Sequence, residues 1–166
     1  NTLFVITADH NYMACRDSMD FYNRHLGLFS IPMLFFHPSD KALKGLNSGL
    51  FQQIDIPATV LDYLHYPKPF FSYGKSGFDT SRPAFGFHLI DNYYYFRYQD
   101  RVVTAFGNEI KATYAFSTDS TLQHPLPVED SLSQPAIQYY RAFRQLLSNT
   151  IPHDRMSIKT WQAPKY

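Results

Sequence analysis

Cysteine occurs once in this chain, at Cys15, so no disulfide can form within it, and a lone thiol leaves the redox compartment open. Charge of one sign is never gathered. Fifteen basic and 14 acidic residues give a net charge of +1 and no run of either sign, which removes the electrostatic footprint of a nucleic-acid binder. No apolar stretch reaches the roughly 18 residues of a membrane-crossing helix, and no leader-like segment opens the sequence. Internal repeats and low-complexity tracts are also missing. Aromatic residues, by contrast, are plentiful, with 13 Tyr and 15 Phe in 166 residues. They concentrate where strands are expected and so read as strand faces rather than as a sugar-binding surface. With 45% hydrophobic residues, the chain can supply a core.

Residues 1–10, NTLFVITADH, run an apolar segment straight into an adjacent carboxylate and imidazole. Leu3, Phe4, Val5 and Ile6 have the pattern of a strand buried on both faces of a parallel sheet. Asp9 and His10 then fall at its carboxyl end, the edge of an open α/β sheet where loops converge and ligands bind. An oxygen donor beside an imidazole suits a divalent metal, and the imidazole favours Mn²⁺ or Zn²⁺ over Mg²⁺ or Ca²⁺. The plainer alternative is a turn cap followed by a polar loop residue.

A second apolar run over 31–38 closes on Pro38 and reads as another buried strand. Residues 52–64 read as a helix with Asp55 as N-cap and Pro57 in the first turn. Ile56, Val60, Leu61 and Leu64 share one of its faces. A buried parallel strand needs neighbours on both sides, and only these two strong candidates precede a change in composition. The chain also opens on Asn inside a strand pattern. It therefore reads as a fragment, with the rest of the sheet expected upstream or its open edge covered by self-association.

From about residue 81 the organisation changes, so the expected units are 1–80 and 81–166. Segments 85–90, 93–98, 101–106 and 110–116 are short and β-rich, separated by Asp91-Asn92, Gln99-Asp100 and Gly107-Asn108-Glu109. Connections this tight join antiparallel neighbours and predict a four-stranded meander. Residues 117–134, rich in Ser, Thr, Asp and Pro, read as a loop. Over 134–149, Ile137, Tyr140, Ala142, Phe143, Leu146 and Leu147 recur near helical spacing, with Pro135 in the first turn. That helix is expected to pack across the meander. Residues 151–166 carry only a weak extended or turn signal.

Several pieces of the first half, taken in order, carry a family likeness. They are Thr7-Ala8-Asp9-His10, Gly27-Leu28-Phe29-Ser30-Ile31-Pro32, Leu43-Lys44-Gly45, Gln52-Gln53-Ile54-Asp55-Ile56 and Pro69-Phe70-Phe71-Ser72-Tyr73-Gly74-Lys75-Ser76. Together they resemble the C-terminal portion of sulfatase-like proteins of the alkaline phosphatase superfamily, above all the lipoteichoic acid synthase and phosphoglycerol transferase type. The resemblance implies an α/β fold: the C-terminal part of an alkaline-phosphatase-like sheet with helices, then a small four-stranded antiparallel sheet packed by a C-terminal helix.

In such families a Thr, Ser or oxidised Cys attacks a phosphorus or sulfur centre while a divalent metal activates the nucleophile and stabilises charge. By resemblance, Asp9 and His10 are metal ligands, and the nucleophile and a further acidic ligand lie upstream of this chain. His25, Arg16 and Arg24 are candidate contacts to an anionic phosphate or sulfate ester. Cys15, within Cys15-Arg16-Asp17-Ser18, lacks the Pro and Arg spacing of a sulfatase nucleophile and reads as a loop thiol. Asn11 stands where Gly is common in sulfatases and Thr in the bacterial transferases, a departure that touches the loop rather than the metal pair. His37 closes the second strand run and reads as a core or edge histidine, and His65, His88, His124 and His153 are too scattered to read as a metal cluster. The expected reaction is phosphoryl-type transfer, of phosphoglycerol or phosphoethanolamine, by a membrane-anchored parent acting outside the cytoplasmic membrane. Sulfate-ester hydrolysis is the alternative, and a non-catalytic metal-binding or interaction module is a third.

Overall fold

Short alternating segments of aromatic and β-branched residues dominate the chain from residue 85 onward, and they decide its largest element. The computed structural model describes residues 2–11, 20–127 and 130–157. Strands β3 (Phe85–Ile90), β4 (Tyr93–Tyr98), β5 (Arg101–Phe106) and β6 (Glu109–Ala115) form the predicted antiparallel meander in sequence order. Its first turn is Asp91-Asn92, and both residues have positive φ, 49° and 67°. That is the conformation a two-residue hairpin needs for its twist to match the strands, and it suits Asp and Asn better than most side chains.

Helix α2 (Gln134–Thr150) lies across one face of the meander. Phe85, Phe96, Val103 and Ala105 from the sheet meet Ala136, Ile137, Tyr140 and Phe143 from the helix in one buried cluster. The Phe143 ring sits 4.9 Å from Phe85, 4.7 Å from Phe87 and 6.0 Å from Phe96, within the range where aromatic pairs attract. Tyr140, almost wholly buried, donates its hydroxyl to the Gly107 carbonyl, so its polar end is satisfied. The loop before α2 is organised by carboxylates. Asp119 accepts from the backbones of Gln123 and His124, and Asp130 accepts from Ser133 Oγ at 2.6 Å and Arg101 Nε at 3.2 Å.

Strands β1 (Phe4–Thr7) and β2 (Met33–Phe36) form a separate two-stranded ribbon. Here the structure corrects the expectation of buried parallel strands, because β1 and β2 pair antiparallel, with Phe4 opposite Phe36 and Ile6 opposite Leu34. Residues directly opposite share a face, so Phe4, Ile6, Leu34 and Phe36 make one apolar face, each between 45% and 57% exposed. On the other face Phe35 meets the Phe51 ring. The apolar run reported a wish for burial; it carried no information about strand direction.

Helix α1 (Ile56–Tyr63) follows a single 3-10 turn, Gln53–Asp55. A second correction concerns Asp55, whose side chain makes no N-cap bond to α1. Buried, it accepts instead from the backbone N–H of Gln52 at 2.9 Å and of Lys75 at 2.8 Å. Burial pushes its carboxyl above the usual range, against the pull of those two donors and of the Lys75 and Arg82 charges. Thr59 extends the joint, donating to the Asp55 carbonyl and accepting from the Gly77 N–H. The Gln52 side chain reaches across to β3, donating to the Phe85 carbonyl at 2.6 Å and accepting from the Phe87 N–H at 2.9 Å. Tyr73 closes the circuit through Thr150 Oγ1 at 2.6 Å, at the end of α2.

Two outcomes are expected from this packing. Phe143→Ala should destabilise the chain by about 3–5 kcal/mol, whereas His10→Ala should cost under about 1 kcal/mol without metal, because one ring is in the core and the other side chain is in solvent. Chemical denaturation of both variants beside the parent checks the order, and a more damaging His10→Ala would move that residue into the structural core. Separately, a Cβ at Gly74 would lie 2.2 Å from the Ile54 carbonyl oxygen. Gly74→Ala should therefore cost about 1–3 kcal/mol by overpacking, and an unchanged denaturation midpoint would refute the tight joint.

Candidate metal centre

The end of β1 is set by backbone bonds. Thr7 Oγ1 donates to the Pro32 carbonyl at 3.0 Å, which keeps the exit of β1 against the entry to β2. Beyond it Asp9 and His10 have no core to occupy, their side chains being 89% and 63% exposed. They nevertheless face one another. Asp9 Oδ1 accepts from the His10 backbone N–H at 3.0 Å, and Asp9 Oδ2 lies 3.6 Å from His10 Nε2.

His10 Nδ1 is 2.7 Å from the Asn11 carbonyl oxygen. A carbonyl can only accept, so in this contact Nδ1 carries a proton, and Nε2 is the ring nitrogen turned toward Asp9. That arrangement, a ring oriented through its other nitrogen, is the one metal-binding histidines adopt. Two bonds of about 2.1 Å can span donors up to about 4.2 Å apart, so the pair fits two positions on one divalent ion. Among the described residues, no group of three or more His, Cys, Asp or Glu converges to hold a metal. Asp9 and His10 are thus two adjacent donors with no third His, Cys, Asp or Glu beside them among the described residues.

The surroundings separate the other candidates. Asn11 Nδ2 donates to the Gly27 carbonyl at 3.0 Å and approaches that of Tyr22 at 3.4 Å, tying the segment after His10 to the 3-10 turns Asp20–Asn23 and His25–Phe29. Its Oδ1 is buried without a hydrogen-bond partner among the described residues. His25 sits in those turns with φ of 42°, its ring 5.5 Å from Tyr95 on β4. Next to it, Phe29 stacks on His88, where burial lowers the imidazole pKa. Arg24 is exposed and paired with Asp20, Nε to Oδ1 at 2.6 Å. Arg16 and Cys15 lie outside the described residues. Sequence reasoning named Asn11 only as a departure from the family pattern and did not single out Gln53, whose Nε2 donates to the Ala8 carbonyl at 2.8 Å. Only the place of Gln53 in the Gln-Gln-Ile-Asp segment pointed to it.

No family model and no curated protein sequence matches the chain. Solved structures do. A Bacteroides thetaiotaomicron sulfatase, described with a genetic locus for the metabolism of multiple glycosaminoglycans, superposes with a TM-score of 0.59 at 16% identity, covering 94% of this chain and 40% of its own. A second structure from Bacteroides thetaiotaomicron VPI-5482, also described as a sulfatase, gives 0.53 at 16% identity over 99% of this chain and 39% of its own. The chain therefore has a sulfatase-like fold and spans about two fifths of the length of the structures it matches.

Proposed function

We propose that this chain is part of a sulfatase-like, metal-dependent hydrolase of sulfate esters, with Asp9 and His10 as two ligands of its divalent ion. The observation that carries the reading is the Asp9–His10 pair, 3.6 Å apart at the end of β1, within a fold similar to that of two sulfatases. Mn²⁺ or Zn²⁺ suits the imidazole better than Mg²⁺ or Ca²⁺. When bound, the ion would supply Lewis-acid stabilisation of charge on the transferred group and help ionise the nucleophile. This chain's part is to present Asp9 Oδ2 and His10 Nε2 as adjacent donors, with the Asn11 carbonyl holding the His10 proton on Nδ1. No segment here resembles a sulfatase nucleophile motif, so the nucleophile and remaining acidic ligands are assigned to polypeptide outside these 166 residues. A second reading, phosphoryl-type transfer by a membrane-anchored protein outside the cytoplasmic membrane, is favoured by the likeness of Thr7-Ala8-Asp9-His10 and Gln52-Gln53-Ile54-Asp55-Ile56 to the bacterial transferases.

The test is turnover of 4-nitrophenyl sulfate and bis(4-nitrophenyl) phosphate, with added Mn²⁺ or Zn²⁺, by the longer protein that carries this chain. Sulfate hydrolysis should dominate, and Asp9→Ala should remove more activity than the roughly 10–100-fold typical of losing an outer-shell partner. The 166-residue chain alone should turn over neither ester. Preference for the phosphodiester would establish the second reading. Robust turnover by the short chain, abolished by Asp9→Ala, would show that it carries its own nucleophile.

A further inference from the structure

We infer that Gln53 is a positioning residue for the Asp9–His10 pair, and this rests on the reading of that pair as metal ligands. Asp9 and His10 are too exposed to be located by packing, so their place depends on the backbone that bears them. That backbone is held from the α1 side by one side chain, since Gln53 Nε2 donates to the Ala8 carbonyl, directly before Asp9, at 2.8 Å. The two residues are 45 apart in sequence.

The anchor behind Gln53 is rigid for a stated reason. Its 3-10 turn is closed by the buried Asp55 carboxylate, which accepts from Gln52 N and Lys75 N. Adjacent side chains then reach in different directions. Gln52 bonds both ways to the β3 backbone, and Gln53 bonds to the end of β1. The pair of glutamines thus couples the meander, and the core under it, to the candidate ligands. The Ala8 carbonyl also accepts from Thr7 Oγ1 at 3.3 Å, within its own strand end, so Gln53 supplies the shorter bond and the one that reaches across the fold. A carboxylate of the same shape offers only acceptors and would repel the carbonyl, while Lys retains a donor with similar reach.

The test compares the 166-residue chain with Gln53→Glu and Gln53→Lys by ¹⁵N relaxation of Asp9 and His10, without metal and then during titration with MnCl₂. In the parent both amides should show order parameters near 0.85, falling toward about 0.6 in Gln53→Glu and recovering in Gln53→Lys. The denaturation midpoint should stay at the parent's value in both variants, as expected of a surface substitution. Mn²⁺ should broaden the His10 ring signals of the parent, with the midpoint shifted about five- to tenfold higher in Gln53→Glu, the loss of one hydrogen bond. Equal order parameters in all three chains would overturn the positioning role. If the parent's His10 ring ignored Mn²⁺ while Gln53→Glu still loosened the Asp9–His10 backbone, the metal reading would fall and the positioning of the pair would stand.

Discussion

A single buried carboxylate organises this chain. Asp55 takes the N–H groups of Gln52 and Lys75, and in doing so brings together a turn, the start of α1 and the 69–76 segment. Burying a carboxyl is costly, and the raised pKa of Asp55 records that cost. What offsets it is that each bond closes a different part of the chain. The Gln52 amide fixes the joint to β3, Thr59 fixes it to Gly77, and Gln53 extends it to the end of β1. Removing this centre would leave the ribbon and the meander without their shared hydrogen-bonded link.

The meander and the ribbon differ in what stabilises them. In the meander, aromatic rows on one face are matched by α2, so side-chain burial and ladder bonds reinforce one another. The ribbon is two short strands with one apolar face in solvent, an arrangement that is marginal in water by itself. Its geometry is therefore imposed by neighbours, through Thr7, Phe35 and Gln53. The candidate ligands sit on the weaker element and borrow rigidity from the stronger one.

Much of this was legible before any coordinates. The four β-rich segments, their tight connections and the helix starting at Gln134 all follow from local period and turn chemistry, although β6 begins at Glu109, one residue before the expected 110, so that its connection has two residues rather than three. The helix runs one residue further than predicted, to Thr150. Strand direction in the ribbon was not legible, since an apolar run such as Phe4, Val5 and Ile6 looks the same whichever way its partner runs. Asp55 was misread as a helix cap because a carboxylate before Ile-Pro has the local signature of one; its true donors include one 20 residues away. Gln53 left no periodic trace either, as a side chain bonded to a backbone 45 residues away has no local grammar. Asp9 and His10 stood out as a carboxylate and an imidazole following an apolar run, and the structure places them exposed and facing one another beyond β1.

Because Asp9 and His10 support no core, the chain can lose either without losing its shape. Selection for folding is then blind to them. A lineage could replace both while keeping Asp55, the glutamines and the aromatic rows intact. Descendants of that kind would keep the outline of this sulfatase-like fold unchanged. In any similar chain, an unbroken Gln-Gln-Ile-Asp segment would thus attest to architecture, and the Asp-His pair beyond the first strand would have to be read separately for chemistry.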